Sequence, residues 1–232
     1  MFKESYIIAH RGIHDNKQVY ENTLEAFSLA INKGYIIELD VRLTKDQQIV
    51  VFHDANTKRV TNQDLIIEES TYQELNQQDI IHIPLLEEVL NLVNGKVPIL
   101  IEIKQFNTVG TLEAKLMSIL NTYQGKYAIQ SFNPKVLYWF KKHYPNILRG
   151  QLSYSFKNKK ISSYKKFILS NMFLNFLTKP NFISYKYNEI LPQKIKYYQK
   201  KNIPVLGWTI TNKKDYNYYK KYYDNLICEK FI

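Results

Sequence analysis

Short apolar runs alternate with longer amphipathic segments along the whole chain, and this alternation limits the fold more than any other feature. Strands are predicted at 6–9, 35–41, 49–52, 97–103, 127–130, 147–152, 181–185, 204–210 and 226–228. Helical periodicity is predicted between them, at 23–33, 85–93, 112–123, 134–143, 192–201 and 213–223. Strands that alternate with helices form βαβ units and a parallel sheet. The number of strands favours an α/β fold of the closed TIM-type (β/α)8 barrel class over an open sheet.

The length of 232 residues suits a single barrel domain over 1–232, with 45% hydrophobic residues to fill its core. A polar stretch at about 54–82 predicts a small insertion after the third strand. A second excursion, at 153–180, contains one predicted helix at 163–177. The apolar side chains of that helix either pack on the barrel, which is the preferred interpretation, or contact a membrane with help from nearby lysines.

The formal net charge is +11, which permits an anionic partner such as nucleic acid, a membrane surface or a phosphorylated substrate. Because the lysines are spread over many helices, an ordinary solvated surface is favoured, with no nucleic-acid partner and with membrane contact as the less favoured alternative. The single cysteine, Cys228, excludes an intramolecular disulfide. Apolar runs are too short for a signal-peptide core or a membrane span. We therefore expect a cytoplasmic protein, whose oligomeric state the sequence leaves open.

Chemically useful side chains recur where the predicted strands end: His10, Arg11, Glu38, Asp40, His53, Glu102, Lys104 and Trp208. In a barrel these ends meet at one face, where barrel enzymes build their active sites. Residues two apart on a strand point the same way, so Glu38 and Asp40 share a face. With Glu102, these carboxylates would repel one another unless a cation lay between them. Oxygen ligands suit one divalent cation, Mg²⁺ or Ca²⁺.

The remaining side chains of this set predict phosphoester chemistry. Arg11 and Lys104 would add positive charge for a phosphate. His10 and His53 would supply a general base and a general acid near neutral pH. Gln130 and Ser131 are equally compatible with site lining and with structural hydrogen bonding. His14, His82 and His143, in contrast, lack such partners in the sequence and are expected to be structural or exposed.

An ordered set of short segments carries a family resemblance: 10–12, 21–23, 38–41, 44–46, 50–54, 83–84, 102–104, 131–132 and 208–209. With these segments the chain resembles the glycerophosphodiester phosphodiesterases. The resemblance implies a TIM barrel that hydrolyses glycerophosphodiesters to glycerol 3-phosphate and an alcohol through a cyclic phosphate. It also implies roles for the site residues: metal ligands Glu38, Asp40 and Glu102; acid/base histidines His10 and His53; phosphate contacts Arg11 and Lys104; and a substrate-facing wall at Trp208.

Two positions depart from the family pattern. Tyr20 stands where the family usually has proline, and Glu229 follows the last strand where an aspartate-containing segment is usual. The second departure leaves the floor of the glycerol or leaving-group pocket open. Two alternatives also remain, a lysophospholipase D-like phosphodiesterase and a non-catalytic barrel that binds anionic lipid. The leaving alcohol, the native metal and the assignment of acid and base to the two histidines are not determined at this level.

Overall fold

The computed structural model describes residues 7–77, 80–104 and 108–232. This part of the chain contains the strands Ile8–His10 (β1), Ile36–Leu43 (β2), Ile49–Val51 (β3), Ile99–Ile103 (β4), Tyr127–Ser131 (β5), Arg149–Ser153 (β6), Phe182–Lys186 (β7), Val205–Ile210 (β8) and Asn225–Cys228 (β9). The first predicted strand began at Tyr6, which lies outside the described residues. The other predicted strands are present, with ends shifted by a few residues.

The helices lie between the strands, as the periodicity predicts. They are Leu24–Asn32 (α1), Lys58–Thr61 (α2), Tyr72–Leu75 (α3), Leu86–Val93 (α4), Thr111–Leu120 (α5), Pro134–His143 (α6), Ser163–Asn171 (α7), Asn175–Thr178 (α8), Pro192–Gln199 (α9) and Lys213–Tyr219 (α10), with a 3₁₀ turn at Ile67–Glu69. None of the helices in the described ranges is long and apolar enough to cross a lipid bilayer.

Eight parallel strands close into a barrel, because β1 pairs with both β2 and β9. The predicted TIM-type fold is therefore confirmed. The strand register also brings the chemical residues side by side. His10 lies opposite Glu38 on the neighbouring strand, Asp40 lies opposite Glu102, and Glu102 lies opposite Gln130. The carboxylates predicted from separate segments thus occupy adjacent positions on two neighbouring strands of the barrel, β2 and β4.

The ninth strand, β3, is not a barrel strand. It pairs antiparallel with the end of β2, with Val51 opposite Val41 and Ile49 opposite Leu43. Our expectation that the segment 49–52 belongs to the parallel set is wrong, because β2 runs past the barrel rim and a tight turn returns the chain. Thr44 N–H donates to Gln48 O across that turn, at 3.0 Å. His53 therefore reaches the C-terminal mouth from this hairpin and does not lie at the end of a barrel strand.

Apolar packing stabilises the barrel, whereas the polar residues of the candidate site lie at its mouth. The interior is filled by large aliphatic and aromatic side chains from the strands: Ile8, Ile36, Leu100, Ala128, Phe182, Leu206 and Ile227. A larger apolar layer lies between the strands and the surrounding helices. The insertion after β3 carries α2, the 3₁₀ turn and α3, and has a small apolar cluster of its own around Val60, Ile67 and Leu75. Apolar burial of this extent is the main force that closes the barrel.

The second excursion differs from its prediction in two ways. The helix expected at 163–177 is two short helices, α7 and α8, separated at Met172, whose φ of 56° ends α7 in the left-handed region. The preferred interpretation, that its apolar side chains pack on the barrel, holds for buried Met172. It is wrong for Phe167, Phe173 and Phe176, which are exposed.

Candidate active site

Each of the two predicted acid/base histidines is held by a carboxylate. His10 Nδ1 lies 2.8 Å from Glu229 Oε2, and His53 Nδ1 lies 2.5 Å from Asp54 Oδ1. A carboxylate on Nδ1 keeps a proton on that nitrogen and leaves Nε2 free to exchange protons. Burial lowers the pKa of His10, with Glu229 opposing the shift, and burial lowers the pKa of His53 to about 4. Both rings are therefore neutral at pH 7.

The three predicted metal carboxylates meet at the barrel mouth. Glu38, Asp40 and Glu102 are buried, and each offers an oxygen within 4.8 Å of an oxygen of the others. Burial and the charges of Asp40 and Glu102 raise the pKa of Glu38 well above its ordinary value. Burial is the larger cause of this shift, and the neighbouring carboxylates add to it. A donor set made only of oxygens fits a hard divalent cation such as Mg²⁺ or Ca²⁺.

Two basic side chains line the same site. Lys104 Nζ lies 3.0 Å from Asp40 Oδ1 and 2.5 Å from Glu102 Oε1. Arg11 Nε lies 3.2 Å from Asp40 Oδ2, and the backbone N–H of Arg11 donates to Glu38 Oε2 at 3.1 Å. Burial alone would raise the pKa of Asp40, but Lys104 and Arg11 outweigh burial and hold it well below its usual range. Asp40 is therefore a permanent anion between two cations.

The structure adds supporting residues whose roles the sequence did not predict. The side chain of Asn22 donates to Asp40 Oδ2 at 3.0 Å. Glu21 Oε1 accepts from Arg11 Nη1 at 2.7 Å and from Arg59 Nη2 at 2.6 Å. Arg59 Nε also donates to Asp54 Oδ2 at 2.6 Å. Glu21 and Asn22 fall in a segment that carries the family resemblance, so a signal for them existed, but nothing in the sequence links Arg59 to either carboxylate.

These groups surround two adjoining cavities. The inner cavity, of about 100 Å³, is lined by His10, Arg11, Glu38, His53, Glu102 and Lys104, among others. The outer cavity, of about 510 Å³, is lined by residues that include Arg42, Tyr154, Phe156 and Lys159. His53, Lys104, Phe132 and Trp208 line both. A phosphodiester placed at this junction could extend one substituent into each cavity.

Trp208 belongs to an aromatic wall. Its ring makes edge contacts with Phe132 and Tyr154, at centroid distances of 5.6 and 6.1 Å. Tyr154 in turn lies 4.1 Å from Phe156, also between centroids. Aromatic groups of this kind give a binding site an apolar face without many rotatable bonds. The predicted pocket-facing position of Trp208 therefore agrees with its place in the structure.

The other polar residues weighed in the sequence separate into two groups. Gln130 lines the inner cavity, and its side chain donates to Glu38 Oε1 at 3.4 Å. Ser131 is buried and donates to Ile103 O at 2.9 Å, which is a structural hydrogen bond. His82 lies away from the mouth, with its Nε2 3.2 Å from Glu88 Oε1. His143 Nδ1 lies 2.9 Å from Trp139 O. His14 is buried, and its structural role stays a prediction.

The chain is also similar to known proteins. A family model described as the glycerophosphoryl diester phosphodiesterase family matches residues 10–228. A glycerophosphodiester phosphodiesterase of Caldanaerobacter subterraneus subsp. tengcongensis is 30% identical over 91% of this chain and 88% of its own length. The human Lysophospholipase D GDPD1 is 35% identical, but over 50% of this chain and 41% of its own.

Solved structures show the same fold. A phosphodiesterase of Oleispira antarctica, in complex with the product sn-glycerol-3-phosphate, superposes with a TM-score of 0.81 over 96% of this chain and 92% of that one, at 23% identity. The family model spans nearly all of the described barrel, and its match includes His10, His53, Glu38, Asp40 and Glu102. The chain is an enzyme that belongs to the glycerophosphoryl diester phosphodiesterase family.

Proposed function

We propose that the enzyme hydrolyses glycerophosphodiesters to glycerol 3-phosphate and an alcohol, with one divalent cation and with histidine acid/base catalysis through a cyclic phosphate. The observation that carries the proposal is the inner cavity. It brings two carboxylate-backed histidines, two fixed cations and the oxygen-only ligand set to one space of about 100 Å³. Each of these components has a separate use in phosphodiester cleavage.

Glu38, Asp40 and Glu102 would hold the cation. When bound, a divalent cation supplies a Lewis acid that neutralises phosphate charge. Arg11 and Lys104 remain charged at neutral pH because buried carboxylates surround them. They bind and orient the phosphate oxygens. The aromatic wall excludes water from the opposite side of the junction and strengthens these charge interactions.

The reaction begins when the glycerol hydroxyl next to the phosphoester attacks phosphorus. One neutral histidine accepts the hydroxyl proton at Nε2, the new P–O bond closes a cyclic phosphate, and the bond to the alcohol breaks. The second histidine gives a proton to the departing alkoxide. Water then opens the ring with the two histidines in reversed roles, which restores both protonation states.

We assign His53 to the leaving alcohol and His10 to the attacking hydroxyl. His53 lines both cavities, whereas His10 lines the inner cavity and not the outer one. The inner cavity suits the small glycerol, and the larger outer cavity suits an alcohol of variable size. His53 is neutral when the site is free, since its pKa is about 4. The negative charge of a bound phosphate raises that pKa, so His53 takes up its proton with the substrate.

Release of glycerol 3-phosphate from glycerophosphocholine and glycerophosphoethanolamine tests the reaction, in Mg²⁺, Ca²⁺ and EDTA. We expect metal-dependent release from wild type and loss of at least about 10²-fold in His10→Ala and in His53→Ala. His82→Ala is the matched control, because His82 also pairs with a glutamate but lies outside both cavities. Activity near wild type in either site variant refutes the acid/base roles.

An activated leaving group tests the assignment of the two histidines. A p-nitrophenyl ester of glycerol 3-phosphate releases an alcohol that needs no protonation. We expect this substrate to restore most of the rate of His53→Ala and little of the rate of His10→Ala. The reverse pattern exchanges the two roles.

Acylated substrates are the second candidate class. The outer cavity is about five times larger than the inner one by these volumes and has an aromatic wall, which suits a longer apolar group. Lysophospholipid should then compete with glycerophosphocholine in the release assay. Failure to compete removes the lysophospholipase D-like alternative and leaves the main proposal intact.

A further inference from the structure

An exposed apolar surface lies on the excursion between β6 and β7. It consists of Tyr164, Phe167 and Phe173, and we call it the α7 rim. Tyr164 is 73% exposed, Phe167 57% and Phe173 51%. The rings of Phe167 and Phe173 are in contact, 5.3 Å apart, and α7 buries none of its residues. Several large apolar side chains exposed together on one surface usually mark an interaction site.

The α7 rim lies beside the active-site mouth. Ser153, the last residue of β6, donates to Leu169 O at 2.8 Å. Tyr185, near the C-terminal end of β7, donates to Ser170 O at 3.2 Å. These bonds hold α7 level with the C-terminal ends of the strands, where the cavities open. The same excursion supplies Phe156 and Lys159 to the outer cavity, so one segment of the chain contributes to both the rim and the mouth.

The charge around the rim is of one sign. Between Glu113 and Glu189 the sequence has no aspartate or glutamate, whereas lysine or arginine recurs throughout that stretch. Lys157, Lys159, Lys160 and Lys165 are exposed next to the rim, and Lys166 donates to Lys157 O at 2.9 Å. The net charge of +11 is thus concentrated on the β5–β7 side of the barrel.

We propose that the α7 rim docks on the surface of an anionic phospholipid bilayer and holds the active-site mouth against it. Exposed phenylalanine side chains next to lysines are the composition of interfacial binding surfaces, in which apolar groups enter the acyl boundary and lysines attract anionic headgroups. Docking goes beyond the proposed reaction and does not depend on turnover.

Co-sedimentation of the full chain with vesicles tests the proposal. Vesicles of phosphatidylcholine alone are compared with vesicles of phosphatidylcholine and phosphatidylglycerol, at low and high salt. We expect binding to the anionic vesicles that weakens as salt is added. Phe167→Ser/Phe173→Ser should bind at least about tenfold more weakly, and Lys160→Glu/Lys165→Glu should lose a similar factor. No sedimentation of wild type with anionic vesicles overturns the proposal.

Matched controls separate docking from general effects. Lys213→Glu/Lys214→Glu changes the net charge equally on α10, at exposed positions away from the rim, and should bind as wild type. All variants should keep the wild-type thermal unfolding midpoint and hydrolyse soluble glycerophosphocholine at the wild-type rate. An equal loss of vesicle binding in the α10 control would mean that net charge, and not the α7 rim, determines the binding. Salt-sensitive RNA binding that the phenylalanine variants retain and the Lys160/Lys165 variant loses would assign the surface to nucleic acid instead.

Discussion

His10 Nδ1 and Glu229 Oε2 are 2.8 Å apart, although 219 residues separate them in the chain. The contact spans the seam at which the barrel closes, because β1 pairs with β9. In the proposed mechanism, Glu229, at the position that departs from the family pattern, orients the His10 ring and keeps its proton on Nδ1, so that Nε2 can accept the proton of the attacking hydroxyl.

Glu229→Gln should therefore lower kcat strongly while the fold is kept. A glutamine amide can donate to Nδ1, which moves the imidazole proton to Nε2 and removes the base. Loss of the correct tautomer costs up to about 10⁴-fold in a serine protease, and we expect at least tenfold here. The measurement is kcat with glycerophosphocholine, together with the unfolding midpoint. Glu229→Asp, which keeps a carboxylate, should recover part of the rate. Wild-type kcat in Glu229→Gln would leave Glu229 a purely structural role.

Acid stability should depend on Glu21. Burial alone would raise the pKa of this carboxyl, but Arg59 and Arg11 outweigh burial and lower the pKa to about 2. A carboxyl whose folded pKa is depressed stabilises the fold above its ordinary pKa of 4.5 and loses that contribution as pH falls through 2. The full contribution is on the order of 3 kcal/mol.

Urea unfolding of wild type and Glu21→Gln between pH 3 and pH 7 measures this dependence. The difference in unfolding free energy should be largest above pH 4.5 and should shrink toward pH 3. Glu25→Gln, which removes an exposed carboxylate from the first turn of α1, is the control and should not show that trend. A constant difference across the pH range would mean that Glu21 keeps its ordinary titration in the folded protein.

The sequence predicted that Glu38, Asp40 and Glu102 meet at the mouth because the signals that place them are local. Glu38 and Asp40 are two residues apart on one strand, and Glu102 ends the next barrel strand. Parallel strands bring such positions to one mouth whatever the details of the loops. The register that places Asp40 opposite Glu102 follows from the same pairing.

The direction of β3 was missed even though a signal was present. Only residues 42–48 connect the predicted strands at 35–41 and 49–52, and a parallel crossover needs a dozen residues or more. The run Ile49–Val51 is apolar enough for either a barrel strand or a hairpin, so hydrophobicity alone could not decide. The contacts of Arg59 with Glu21 and Asp54 could not be predicted, because they depend on how the insertion folds back over the mouth.

Gly12 should tolerate substitution less than Gly34. Both glycines have positive φ, +82° and +68°. A Cβ on Gly12 would lie 2.8 Å from the backbone carbon of Ala26, whereas a Cβ on Gly34 would meet nothing within 4 Å. Gly34→Ala should cost about 1 kcal/mol for the left-handed backbone alone. Gly12→Ala should cost at least about 1 kcal/mol more for the clash with α1, and should lower kcat, since Gly12 follows Arg11. Equal losses in urea unfolding would contradict the close approach.

Cys228 should report on opening of the barrel seam. Its side chain is fully buried, and burial raises the pKa of the thiol to about 12. Cys228 lies opposite Ala9 of β1 and Ile210 of β8, so a thiol reagent reaches it only when these strands separate. Because thiolate is the reactive form, we expect labelling at pH 8 at least about 10³-fold slower in native protein than in urea. Ser118→Cys in a Cys228→Ser background, at an exposed position on α5, should label rapidly in both conditions. Rapid labelling of native Cys228 would show that the β1–β9 seam opens readily in solution.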